Sequence, residues 1–225
     1  MPAATASAAT PAAQHPSVVL FDLDGTLANS IDLIVAAYQH AFASTTGRVV
    51  DPVLARTWIG QTLAQTFVRE DAMHACQLEA AYRGYNEAHM DDMVTGYPGV
   101  ADVLRDLAAA GVRTGVVTAK RRHVAQWAMR CAGVDHLTAL VAGMEDTAAH
   151  KPDPAPLLHA CAVFGVEPEA AWYVGDAVHD IEAARAAGMP SIAVTWGAGV
   201  ESALVEAGPD VVCHDAAGLR RALLG

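Results

Sequence analysis

The sequence predicts an α/β protein, a Rossmann-like doubly wound parallel sheet with a small all-helical cap domain inserted after the first strand. Three observations predict it. Short β-branched runs alternate with stretches of helical period, each run halts at a polar cluster, and one connection of roughly seventy residues carries helical period alone.

Residues 1–16, MPAATASAATPAAQHP, are small, polar or proline-bearing and predict a disordered tail. They lack the basic start and apolar stretch of an export signal. Val18-Val19-Leu20-Phe21 is a buried strand that stops at Asp-Leu-Asp-Gly-Thr. The cap is expected over residues 28–97. There Ile31, Ile34, Val35, Tyr38 and Phe42 follow a helical period, and weaker segments run over 53–58, 63–68 and 72–90 with no strand pattern. Tyr97-Pro98-Gly99 returns the chain to the sheet. The α/β core then comprises residues 17–27 and 98–225. Its further strands are expected at 114–117, 137–141, 171–174, 191–194 and 211–213. Helices are expected at 100–110, 121–132, 154–164, 178–187 and 215–224, with Gly111 and Gly188 as stop signals. Parallel strands joined this way bring their carboxyl ends, and a ligand site, to one edge.

The formal net charge of −11 argues against a nucleic-acid surface, which needs many cationic contacts to phosphate. No run of eighteen uncharged apolar residues occurs although 53% of the chain is hydrophobic, so no membrane span is expected. Four widely spaced cysteines without CxxC spacing predict reduced, buried thiols and a cytoplasmic protein rather than a disulfide frame or zinc site. Oligomeric state is not legible. An anionic substrate would need a local attractor such as a metal ion, a lysine or a helix N-terminus. The chain has only two lysines, Lys120 and Lys151.

Asp22 and Asp24 stand two apart at a strand end, so both point to one side. Paired carboxylates repel; a cation or lysine lets one ionise as a nucleophile while the other keeps a proton to donate. The plainer reading is a turn after a strand. Thr118 ends the second strand, and the backbone amides at Ala119 open a helix able to receive a phosphate oxygen, although a threonine there also serves as an N-cap. Lys151, in His-Lys-Pro-Asp-Pro, marks a place where a compact ammonium is wanted, or else a solvated loop. Asp176 follows the strand at 171–174 and joins an oxygen-rich cluster suited to magnesium, or caps the next helix. Asp180 lies one turn on, in reach of Asp176, a metal-bound water or Lys151. In the cap, Gly60 and Gln61 sit in a loop facing the core, and Arg56, Arg69 and His89 are candidates to reach a second anionic group of the substrate.

The set FDLDGTLANS, VVTAK, HKPDP and GDAVHD resembles the haloacid dehalogenase superfamily of hydrolases over nearly everything after the tail. The resemblance implies that Asp22 is the nucleophile and Asp24 the general acid and base. Thr118 and Lys151 would bind phosphate, and Mg2+ would be held by Asp22, the main-chain carbonyl of Asp24 and Asp176. The helical insert is similar to the small cap of phosphoglycolate phosphatases. Residues 82–94 with VVTAK and Asn29-Ser30 also resemble the bacterial inorganic pyrophosphatase branch; many phosphoglycolate-type members carry Asp where this chain has Asn29. The implied activity is magnesium-dependent hydrolysis of a small anionic phosphate ester of the phosphoglycolate type, with pyrophosphate as the alternative substrate.

Other chemistries fit less well. Dehalogenases of the superfamily do without the proton-transfer carboxyl that Asp24 supplies, and phosphonate cleavage needs a cap lysine that residues 28–97 lack. A sugar phosphomutase uses the same core residues and stays open, as does a noncatalytic binding protein on the same fold. Gly197-Ala198-Gly199 lacks the third glycine of a dinucleotide loop, and no GxSxG elbow occurs.

Overall fold

The computed structural model describes residues 16–225, so the tail expected over 1–16 lies, apart from Pro16, outside the described residues. β1 (Val18–Phe21) is fully buried along its length. A strand covered on both faces is apolar at every position, which is why VVLF shows no alternation. Its two faces serve different layers, Val19 and Phe21 entering one hydrophobic cluster and Val18 and Leu20 another.

A two-residue strand, β2 (Ala28–Asn29), leads into the helical insert of α1 (Ile31–Thr46), α2 (Pro52–Arg56), α3 (Leu63–Asp71), α4 (Ala75–Ala88) and α5 (Met90–Met93). β3 (Thr95–Gly96) then pairs antiparallel with β2 and closes the excursion. These two strands were not expected, because two residues cannot display a period. Local chemistry sets the helix starts. Asp51 accepts from the Val53 amide ahead of Pro52, and Thr62 and Gln65 form a reciprocal capping box. The insert has its own hydrophobic cluster, with Tyr38 at its centre against Trp58, Phe67 and Tyr82 at ring separations of 5.1, 5.6 and 4.8 Å. Tilted and edge-on geometry of this kind adds about 0.5–1.5 kcal/mol per pair beyond burial.

The remainder alternates as expected: α6 (Val100–Ala109), β4 (Arg113–Val117), α7 (Arg122–Cys131), β5 (Ala139–Ala142), α8 (Ala155–Phe164), β6 (Ala171–Gly175), α9 (Val178–Ala187), β7 (Ser191–Val194), α10 (Glu201–Glu206), β8 (Val211–Cys213) and α11 (Ala216–Leu224). Gly188 ends α9 in the left-handed conformation that glycine adopts without strain. Only α10 was not anticipated; it is six residues long and buries Leu204 alone.

Six strands pair in parallel in the order β5-β4-β1-β6-β7-β8. Helices α6, α7 and α11 cover one face through Leu107, Ala128 and Leu219, and α8 and α9 cover the other through Leu157 and Ala183. The sheet is therefore doubly wound, as the sequence predicted. Phe21 is level with Val116 of β4 and Val174 of β6, so Asp22, Thr118 and Asp176 leave the sheet side by side. Strand order reverses at β1, and a crevice opens at such a switch point.

The four cysteines are free, but only Cys161 and Cys213 are buried. Buried packing was expected for all four. Cys76 is exposed because the buried stripe of α4 runs through Leu78, Tyr82 and Asn86, leaving a residue two positions earlier on the opposite face. Among the described residues no helix is long and apolar enough to cross a membrane.

Candidate active site

The carboxyl ends of β1, β4 and β6 gather Asp22, Asp24, Asp176 and Asp180 with the chain's two lysines. Asp22 is 4% exposed, and its Oδ1 accepts from Lys151 Nζ at 2.9 Å. Lys151 also donates to Asp180 Oδ1 at 2.6 Å and to the Tyr173 hydroxyl at 2.9 Å. It is a buried ammonium with every donor used, not a solvated loop lysine. Burial opposes its charge, yet Asp180 and Asp22 outweigh that and hold its pKa well above the ordinary lysine value.

Asp176 is buried and accepts from Thr26 Oγ1 at 3.0 Å and the Ala198 amide at 2.7 Å. The N-terminus of α9 is capped instead by Asp180, which accepts from the Ala177 amide at 3.0 Å. Glycines wall Asp176 in: a Cβ on Gly25 or Gly197 would collide with its carboxylate, and Gly25 is also left-handed at φ 84°. Only glycine permits that approach at Gly25.

Oxygens of Asp22, Asp176 and Asp180 all lie within 4.8 Å of one another. Three buried carboxylates face one ammonium, which leaves surplus negative charge. Burial pushes the Asp22 carboxyl up to about 7, with Lys151 pulling it down and Asp180 pushing it up again. Burial, then Asp180 and Asp22, raise Asp176 well above the carboxylate range. A compact, all-oxygen and electron-rich cluster of this kind fits a hard divalent cation.

Asp24 turns away from the cluster. Both of its oxygens accept from Lys120 Nζ at 2.8 Å, and Oδ1 also accepts from Ser30 at 2.6 Å. The sequence reading gave neither the Lys120 nor the Ser30 side chain a role. The signal for Lys120 was its rarity, since it is one of the two lysines.

A cleft between this edge and the helical insert is floored by Asp22, Asp24, Thr118, Ala119 and Lys120. Thr118 Oγ1 accepts from the Lys120 amide at 3.2 Å, so the threonine orders the turn that carries the lysine. From the insert, Gly60 and Gln61 line the opposite wall as the loop reading placed them, and so do Tyr82, Arg83 and Asn86, which the sequence did not single out. Arg56, Arg69 and His89 are not lining residues. Arg56 donates to the Gly197 carbonyl at 3.2 Å, Arg69 binds Gln61 and Glu70, and His89 donates to the Tyr85 carbonyl at 2.8 Å and stacks on that ring.

The model of the haloacid dehalogenase-like hydrolase family matches residues 19–194. The chain belongs to that family and is a hydrolase. Among curated proteins, it is 33% identical over 180 residues to the pyrophosphatase PpaX of Bacillus cereus (strain AH820), covering 80% of this chain and 83% of that protein. The PpaX of Bacillus mycoides (strain KBAB4) is 32% identical over 80% of this chain and 84% of its own. Among solved structures, a predicted phosphoglycolate phosphatase from Haemophilus somnus 129PT superposes with a TM-score of 0.84 at 27% identity, covering 94% of this chain and 99% of that one. A haloacid dehalogenase-like family hydrolase from Streptococcus pneumoniae gives 0.83 at 25% identity, over 92% and 98%.

Proposed function

We propose that the chain is a magnesium-dependent phosphohydrolase of small phosphorylated anions, with Asp22 as nucleophile, Asp24 as general acid and base, and residues 28–97 as a cap over the substrate. The observation that carries this reading is the buried Lys151 bridge that ties Asp22, on the floor of the cleft with Asp24, to Asp180 beneath it. It gives one carboxylate a fixed ammonium partner and leaves the other, two residues on, beside the space for a leaving group.

In the first step an Asp22 oxygen attacks phosphorus, the bond to the leaving oxygen breaks, and Asp24 gives that oxygen its proton. In the second, water attacks the aspartyl-phosphate, Asp24 takes the water's proton, and phosphate departs with Asp22 restored. Dividing the reaction replaces one difficult displacement with two easier ones. Thr118 and the Ala119 amide meet the charge on the transferring group with donors, and Lys151, whose N–H groups are taken, adds its fixed positive charge behind Asp22; such pre-set electrostatics are the main source of acceleration in these reactions. Asp22, the Asp24 main-chain carbonyl and Asp176 would hold Mg2+, with Asp180 supporting, and the ion would supply further neutralisation of phosphoryl charge.

Pyrophosphate is the first candidate substrate, because the relatives at 32–33% identity over four-fifths of this chain are named pyrophosphatases. Phosphoglycolate is the second, supported by the fold neighbour of that description at 27% identity. Phosphate release with magnesium, measured on pyrophosphate, phosphoglycolate, sugar phosphates and nucleoside monophosphates, tests both. A preference of about a hundredfold, or roughly 2.7 kcal/mol in transition-state binding, assigns the substrate. Appreciable turnover by Asp22→Asn would remove Asp22 from its role.

A further inference from the structure

Asn86 is left over from this chemistry. It is 3% exposed and follows Leu78 and Tyr82 at four-residue spacing along the buried stripe of α4. An apolar residue there would extend the core. An amide stands in its place, and its Nδ2 finds no acceptor among the described residues. Among the described residues two other buried side-chain atoms share that condition, on Thr66 and Thr138, and neither residue lines the cleft. Asn86 does, on the wall facing Asp22, Asp24 and Lys120.

A buried donor without a partner is costly, and native proteins retain few of them without a reason. The cationic groups nearby are already engaged. Arg83, one turn earlier on the same wall, is paired with Glu79, and Lys120 with Asp24. Among the described residues that line the cleft, Asn86 alone has a buried side-chain donor without a partner.

We propose that Asn86 is a specificity-determining residue whose side-chain N–H receives an oxygen of the leaving group. The substrate class is then a phosphorylated compound whose leaving group itself bears acceptor oxygens, as a second phosphate or a carboxylate does, rather than a bare alkyl or aryl group. This rests on the reading of Asp22 and Asp24 as the reacting pair. Discrimination follows from the unpaired state: a leaving group without an acceptor leaves the donor unsatisfied through the reaction.

The test compares kcat/KM for pyrophosphate, phosphoglycolate and phenyl phosphate, with magnesium, in the parent protein and in Asn86→Leu. The expected result is a fall of about tenfold or more in the ratio of one oxygen-rich substrate to phenyl phosphate. Which ratio falls identifies the group read, phosphate or carboxylate. Ratios that stay constant, whether all rates drop together or none does, overturn the proposal. Melting temperatures are followed in parallel, because removing an unpaired donor should leave Tm unchanged or higher, whereas a marked fall makes Asn86 a structural member of the core. Asn86→Asp, which keeps the volume and exchanges the donor for an acceptor, should give the same selective loss and serves if the leucine variant does not fold. No phosphate release from any of the three substrates by the parent protein would sink the phosphohydrolase reading itself, an outcome distinct from unselective loss in the variants.

Discussion

Lys120 holds both carboxylate oxygens of Asp24 at 2.8 Å, while Lys151 holds Asp22 at 2.9 Å, so the two lysines of the chain are divided between the two carboxylates of one Asp-Leu-Asp unit. The pairs differ in burial. Lys151 is enclosed with 2% of its side chain exposed, and Lys120 borders the cleft at 11%. The inner pair is enclosed by its surroundings, whereas the outer one borders the cleft that an anionic substrate would enter. Replacing Lys120 by Met should lower kcat/KM by roughly a hundredfold, the scale for one lost electrostatic donor, with little change in Tm. Steady-state kinetics beside a melting curve checks both halves; unaltered kinetics would make Lys120 a bystander.

Lys151→Met should behave differently because it strips the ammonium from two buried carboxylates. Breaking such a pair typically costs about 3–5 kcal/mol. The cost should shrink at low pH, where the abandoned carboxylates take up protons and no longer oppose folding as charges. Denaturant unfolding of the variant and the parent protein at about pH 5 and pH 8 measures it. A deficit equal at both values would mean that packing, not charge, was lost.

Much of this was readable from residues, for physical reasons that also explain the gaps. VVLF announced a strand buried on both faces, and a polar stop after it announced the site. Lys151 stood out because a lysine is rare in a chain that otherwise uses arginine. Lys120 carried the same rarity but followed a threonine already given the phosphate role, and its partner lies 96 residues away. Asn86 was hidden because a lone polar residue on a helix reads as surface unless the stripe around it is known. Arg56 and Arg69 were chosen for charge, and charge does not give direction: one guanidinium turns to the Gly197 carbonyl and the other to Gln61. Strands of two residues and a helix of six fall below the length at which a period can be seen.

Gly197→Ala isolates the glycine wall around Asp176. Its added methyl would strike the Asp176 carboxylate, and unlike Gly25 it has no positive φ to confuse strain with crowding. Asp176 must turn aside, so magnesium affinity should fall about tenfold or more, on the scale seen when groups that orient a metal ligand are lost. Calorimetric titration of magnesium into the metal-free variant reads this directly; unchanged affinity would show that Asp176 does not hold the ion.

A magnesium ion held as proposed would compete with protons for the same carboxylates, which fixes the sign of the pH dependence. The Asp22 carboxyl is raised to about 7 by burial, despite Lys151, and Asp176 is raised as well by burial and its acidic neighbours. Unfolded, both would lose their protons near the ordinary value of 3.8. Between that value and about 7 the folded chain therefore binds more protons than the unfolded one, and this contribution to stability falls as pH rises. Magnesium bound there would displace those protons, so its apparent affinity and the Tm increase it produces should both grow from about pH 5.5 to pH 8. Titration in buffers of different ionisation enthalpy should register proton release at the lower pH and much less at the higher. Asp22→Asn, which has no proton to lose there, should flatten the slope of metal-free stability with pH. If magnesium binding is independent of pH across this window, the ion does not sit on these carboxylates.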